Sequence, residues 1–216
     1  LNKHKSIGNG IKAFKTSVVS KDALRKLVRL LNEHDIKIAH LNNIHHYITP
    51  AIIEILNRKG RKVIWTLHDL KILCPANTFI SNGKLCEKCL TGDFYHCAVN
   101  LCKKNSFLAS SLASYEAYYY HKRGTYDLVD YFLCPSEFLM KKFVQFGFSE
   151  SQMMVTNSCY DVSVIDDFIL NCGPLDSGHK EKYILYIGRL EVIKGVHSLI
   201  EAIKDTNMKL KIVGAG

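Results

Sequence analysis

The sequence predicts an α/β fold built on a parallel sheet, and three observations lead there. Short apolar runs rich in β-branched and aromatic residues recur at 36–41 (IKIAHL), 62–67 (KVIWTL), 131–134 (YFLC) and 183–187 (YILYI). Continuous runs of this kind, unlike alternating ones, mark strands covered on both faces. Segments with helical apolar spacing separate them, and that alternation is the sequence sign of crossover units. The last stretch, Tyr183 to Gly216, reads as one β-α-β unit by itself.

Taken in order, Lys15 to Val19 has the composition of a short strand. Ser20 then reads as an N-cap, with Asp22 in the first turn and Leu24, Leu27, Val28, Leu30 and Leu31 as the apolar stripe. A strand at 36–41 follows. Thr49-Pro50 reads as N-cap and first residue of a helix ending near Arg58, before Gly60. The strand at 62–67 ends at His68-Asp69. After a long interruption the pattern resumes with a helix from Ser106 to about Tyr120, the strand 131–134, a helix from Ser136 to about Phe146, and a strand at 153–156. Residues 161–180 lose periodicity and read as a linker. The expected division is therefore 1–160, with a cysteine-rich insertion at about 70–105, a linker at 161–180, and a second domain beginning at 181.

The chain has 216 residues, 47% of them hydrophobic, enough to bury a core. No apolar run approaches the ~18 residues of a membrane span, and the N-terminus lacks a signal-peptide pattern. Both point to a cytoplasmic protein. The formal charge of +9 comes from dispersed lysines and arginines. A solvated surface accounts for it; anionic membrane, phosphorylated substrates and nucleic acid are the alternatives.

In the final unit the first strand breaks at Gly188-Arg189, and Lys194-Gly195 opens a helix with Val196, Leu199, Ile200 and Ile203 on one face. A second strand, 209–213, ends in Gly214-Ala215-Gly216. Ligands of open α/β sheets lie beyond the carboxyl ends of the strands. A helix opening there offers free amide groups and a positive dipole end. Two cations at the same rim suit a diphosphate, although a basic turn also serves as ordinary solvated loop.

This string resembles the start of the nucleotide-sugar domain of family 4 of the glycosyltransferases, the retaining enzymes of GT-B fold. Its elements are Gly188-Arg189, Lys194-Gly195 and Gly214-Ala215-Gly216. The resemblance extends upstream through His40 to His45, Thr66-Leu67-His68-Asp69, Cys134-Pro135-Ser136 and Asn157, from about Ser20 to Gly216. It implies a Rossmann-like acceptor-side domain followed by the first β-α-β of a second Rossmann-like domain. The family's first strand and glycine-rich loop have no counterpart here, nor has the rest of the donor domain. The chain accordingly reads as a fragment lacking both ends.

The implied activity is transfer of a hexose-type sugar, with retention, from a UDP- or GDP-sugar to a glycan or lipid-linked acceptor, in surface polysaccharide or glycoconjugate biosynthesis. In the family the Arg and Lys hold the donor diphosphate and stabilise the leaving group, roles that fall on Arg189 and Lys194. Gly188, Gly195, Gly214 and Gly216 belong to the same donor-binding set. No metal is required for this catalysis, since two cations neutralise the diphosphate. The motif places His68 at the cleft, hydrogen-bonding developing charge; taken alone, a histidine there is more often structural. Asp69 would orient that ring or cap the loop. His45, with His40 and His46 nearby, contacts an acceptor, binds metal with His68, or belongs to an exposed polar loop. A lipid-linked acceptor implies a peripheral contact with an anionic membrane at its inner face.

Five of the eight cysteines fall at Cys74, Cys86, Cys89, Cys97 and Cys102. Cys86-x2-Cys89 has metal-knuckle spacing, and four of the five thiolates suit tetrahedral zinc. Free thiols and disulfides are the competing readings, the latter disfavoured in a reducing compartment. His96 is a substitute ligand. The Tyr115, Tyr118, Tyr119, Tyr120 run, spaced for one helix face, reads as core rather than a stacking platform. Two rival functions follow from the same features: a truncated, inactive remnant, and a zinc-stabilised basic module that binds nucleic acid. Against the second, the cations are not clustered with aromatics, so nucleic acid is not the expected partner.

Overall fold

A computed structural model describes residues 18–45, 47–156, 163, 166 and 182–216. The chain divides into two units, Leu1–Cys159 and Tyr160–Gly216. The first carries a parallel four-stranded sheet formed by β1 (Ile38–Asn42), β2 (Lys62–Thr66), β5 (Tyr131–Cys134) and β6 (Met153–Val155), in that spatial order. Helices α1 (Lys21–Glu33), α2 (Ala51–Arg58), α4 (Phe107–Lys122) and α5 (Glu137–Phe146) connect it. This is the α/β, parallel-sheet class that the apolar runs predict, compatible with a Rossmann-like arrangement.

The helix starts are set locally. Ser20, Ser106 and Ser136 each accept a backbone hydrogen bond on the side-chain oxygen, from Ala23, Ala109 and Leu139. Such a cap satisfies one of the orphan amides of the first turn. Gly147 closes α5 with φ 118°, a conformation that favours glycine.

Two local expectations fail. Thr49 does not cap α2: Pro50 takes that position, while Thr49 is buried with φ 68° and its hydroxyl accepts from the Ser20 amide at 3.3 Å. It thereby ties the start of one helix to the start of another. Val18 and Val19 belong to no strand; Val18 is buried, and its carbonyl accepts the Tyr120 hydroxyl. Residues 15–17 of that expected strand lie outside the described residues, as does the expected linker apart from Ser163 and Asp166.

Leu41, Val63, Trp65, Leu67 and Phe132 share one face of the sheet and enter the main core with Ile53, Leu56, Tyr120 and Phe143. Of the tyrosine run only Tyr120 is fully buried. Tyr115 is 48% exposed, and Tyr118 and Tyr119 are half-buried under Lys122 and Arg123. A bidentate pair from Arg123 to Glu54 (2.8 and 2.6 Å), with Thr125 on the same carboxylate, fastens α2 to the approach to β5.

The insertion between β2 and α4 contains a two-residue hairpin, β3 (Ile80–Ser81) with β4 (Lys84–Leu85), a 3-10 turn (Lys88–Thr91) and α3 (Tyr95–Val99). It has its own small core of Cys89, Phe94 and Cys97 against Ala113 and Ala117 of α4.

The second unit consists of β7 (Tyr183–Ile187), a 3-10 turn (Val192–Lys194), α6 (Val196–Ile203) and β8 (Lys209–Val213). The two strands are parallel, Tyr183 opposite Lys209 and Ile187 opposite Val213. Among the described residues no helix is long and apolar enough to cross a membrane.

Candidate functional site

In the first unit the candidate residues gather where β1 and β2 end. Thr66 lies beside Asn42 in the register, and residues two apart on a strand share a face, so His40, Asn42, Thr66 and His68 form one row. The row is hydrogen-bonded crosswise: His40 Nε2 pairs with Thr66 Oγ1 at 2.7 Å, and His68 Nε2 with Asn42 Oδ1 at 2.7 Å. His68 is exposed. Since the asparagine oxygen only accepts, the His68 Nε2 is the protonated nitrogen in this arrangement, leaving Nδ1 as acceptor in the neutral ring. The partner of His68 is thus Asn42. Asp69 instead accepts from the Lys71 amide at 3.0 Å, capping the loop that follows, while Asn77 Oδ1 takes the Leu70 amide at 2.7 Å. The His40–Thr66 pair was not distinguished in the sequence, because its partners are 26 residues apart.

His45 is not on an exposed loop. It is 6% exposed, with its ring 5.3 Å from that of Trp65 and its Nε2 3.5 Å from the Tyr126 hydroxyl. A ring enclosed in that way is core, and it offers no face to an acceptor. His46 lies outside the described residues.

Beneath the loop at 69–76 sits a buried ion pair. Lys71 Nζ donates to Glu116 Oε2 at 2.9 Å and to the Pro75 carbonyl at 3.3 Å, with the two side chains 6% and 11% exposed. Lys103 is close by, its ammonium pushed toward neutrality by burial first and by the Lys71 charge second.

In the second unit the donor-side residues cluster at the carboxyl end of β7. The parallel ladder continues past the strand ends, Gly188 N–H donating to the Val213 carbonyl at 3.0 Å and Leu190 N–H to Ala215 at 3.1 Å. The two backbones run so close that a Cβ on Gly214 would fall on the Gly188 carbonyl oxygen; one on Gly216 would lie 2.8 Å from that of Leu190. Gly214 and Gly216 therefore serve internal backbone contact. Gly195 has φ 73° and turns the chain into α6, whose first intrahelical bond runs from Leu199 N–H to the Gly195 carbonyl at 3.0 Å. The amides of Val196, His197 and Ser198 precede that bond at the positive end of the helix. The Tyr186 hydroxyl holds the Arg189 carbonyl at 2.8 Å. The Arg189 guanidinium is exposed and donates to Glu191 Oε1 at 2.8 Å. Lys194 is exposed on the 3-10 turn beside it.

Cys89 and Cys97 are buried together in the insertion's small core with Cys102 packed against it, whereas Cys74 belongs to the main core. Burial pushes the Cys89 thiol up to about 12, and Cys74, Cys97, Cys102 and Cys86 add to that push in decreasing order. Cys97 is likewise raised to about 12 by burial, then by Cys102 and Cys74. All five are free thiols. Among the described residues no three Cys, His, Asp or Glu side chains stand in a metal-holding arrangement. His96 packs instead against Tyr95, ring centroids 4.2 Å apart.

Many of the surface cations are held by carboxylates, among them Lys26 by Asp22, Arg29 by Glu33, Lys62 by Asp130 and Lys142 by Glu87. No protein-family model matches this sequence, and no curated protein matches it.

Proposed function

We propose that this chain belongs to a retaining glycosyltransferase of GT-B type resembling family 4, acting on a nucleotide-diphosphate-sugar. The observation that carries the reading is the turn at the end of β7. There, two exposed cations, Arg189 and Lys194, flank the amino end of α6, at the edge where parallel α/β units bind ligands. Free amides, the helix dipole and two full charges all favour a diphosphate. In the reaction the sugar C1–O bond to the diphosphate breaks and a C1–O bond to an acceptor oxygen forms on the same face. The diphosphate leaves with the electron pair and its oxygen takes up the proton of the acceptor hydroxyl, while Arg189 and Lys194 stabilise the developing charge. His68, set by Asn42, offers an exposed polar ring to a sugar at the end of the first unit's sheet. The acceptor on this reading is a glycan or a lipid-linked sugar, with the working place the cytoplasmic face of a membrane.

The test is ligand binding to the full chain by saturation-transfer NMR with UDP, GDP and their sugars. One base series should bind, and Arg189→Ala and Lys194→Ala should each weaken it at least tenfold, as the loss of a preorganised charge on a phosphate implies. Absence of binding by both diphosphates, or unchanged affinity in both variants, overturns the donor assignment. Release of the nucleoside diphosphate, with anomeric configuration read from the product, then identifies the transfer.

A further inference from the structure

We propose that the turn joining α3 to α4 docks on an anionic phospholipid bilayer, entering it with Val99, Leu101, Phe107 and Leu108. These side chains are 70%, 36%, 62% and 81% exposed. A single exposed apolar residue is ordinary, whereas several on one short turn mark a surface that something covers.

Backbone and side-chain bonds hold the turn in one piece. Lys103 N–H donates to Ser110 Oγ at 3.0 Å, and that hydroxyl donates back to the Lys103 carbonyl at 3.4 Å. Ser106 N–H donates to the same carbonyl at 3.1 Å, and Cys102 N–H to the Cys97 carbonyl at 3.1 Å. Ser110 is fully buried, so the turn is pinned between the end of α3 and the start of α4. Leu101, Lys104 and Asn105 have φ of 51°, 55° and 49°. Asparagine adopts that conformation readily, but leucine and lysine resist it and keep it only where the surroundings impose it. Here the imposed turn leaves Leu101 and Lys104 at the surface.

Charge selects the partner. Elsewhere many surface cations are held by carboxylates, but between Asp93 and Glu116 the sequence has no acidic residue, and Glu116 is buried on Lys71. Lys104 is exposed and Lys103 half-buried in the same turn. The first intrahelical bond of α4 runs from Ser110 N–H to the Ser106 carbonyl at 2.9 Å, and the Ser106 side chain takes the Ala109 amide. The amides of Phe107 and Leu108 stand ahead of both, at the positive end of a sixteen-residue helix. Apolar tips beside ammonium and amide groups match a bilayer interface, where acyl chains receive the tips and lipid phosphates the donors. Lipid is chosen over a protein partner on this charge and on the membrane-face working place proposed above, on which the assignment rests in part.

The experiment is co-flotation of the full chain with vesicles of phosphatidylcholine alone and of equimolar phosphatidylcholine and phosphatidylglycerol. The chain should float with the mixed vesicles, less so with the neutral ones, and less as salt rises. Phe107→Ser/Leu108→Ser should lower the partition coefficient at least about tenfold, the loss expected for two large apolar side chains. Lys104→Glu should lower it about tenfold on the mixed vesicles only. The substituted side chains are exposed, so urea midpoints should match the wild type and separate lost docking from lost folding. No flotation of the wild type, or equal flotation of the double apolar variant, overturns the surface; the second result would assign binding to the general basic charge of the chain. Lipid-free sedimentation showing self-association that the double variant abolishes overturns lipid in favour of a second copy. Diphosphate binding is read separately, so failure of the donor assignment and failure of this one are distinguishable.

Discussion

Replacing Lys71 by methionine keeps the aliphatic stem and removes only the charge from the buried pair with Glu116. In the native chain Glu116 Oε2 takes the ammonium at 2.9 Å, while Oε1 is buried with no partner among the described residues. The variant strands a carboxylate, a change that ordinarily costs about 3–5 kcal/mol. Lys71→Met should therefore destabilise by about 3 kcal/mol at pH 7, read from urea melts followed by the fluorescence of Trp65. Lys71→Met/Glu116→Leu should recover most of the loss at pH 7, because apolar replacement of both partners is often neutral. A single-variant cost below about 1 kcal/mol at pH 7, or no recovery in the double variant, would refute the view that Lys71 and Glu116 form a buried pair on which the packing depends.

Three other outcomes follow from the same geometry. Glu191→Gln should release Arg189 from its exposed pair and tighten diphosphate binding by no more than about fivefold, since such pairs contribute about 0.2–1 kcal/mol; weaker binding in titration would contradict it. Gly214→Ala should force the β7 and β8 ends apart at a cost of about 1–3 kcal/mol, so peptides covering 183–190 should exchange amide hydrogens roughly tenfold faster or more, and unchanged exchange would remove the close-approach argument. Burial pulls the His121 ring below its ordinary value of 6.5, against the opposing effects of the Ile72 carbonyl and Asp127. The unfolded chain then binds a proton that the native ring resists. This contribution is fully present above about pH 6.5 and is lost as pH falls through the lower folded value. His121→Gln should flatten that part of the stability profile, and an unaltered slope would assign it elsewhere.

The helix starts were legible because a serine cap is a three-residue event: Ser20, Ser106 and Ser136 reach amides three positions on. The strands were legible because burial on a sheet demands apolar runs whatever the neighbours. At the end of β7 the glycine and cation positions could be read from one continuous string, since turn and helix start are adjacent in the chain. His45 could not be read in that way. Its Asn-Asn-Ile-His-His surroundings are those of a surface turn, and its burial depends on Trp65 and on Tyr126, 81 residues further on.

By itself, then, the amino-acid order determined the α/β class, the serine caps and a cation-bearing turn at the end of a β-α-β unit, all of which rest on contacts within a few residues. Tertiary structure alone decided that His68 answers to Asn42, that Asp69 caps a loop, that His45 is core, and that Cys89 and Cys97 are buried together against α4. Each of these depends on packing between segments far apart in the chain. Spacing along a sequence reports which neighbours are near in one dimension, whereas burial and thiol geometry are set by chain segments that meet only when the sheet and its insertion pack.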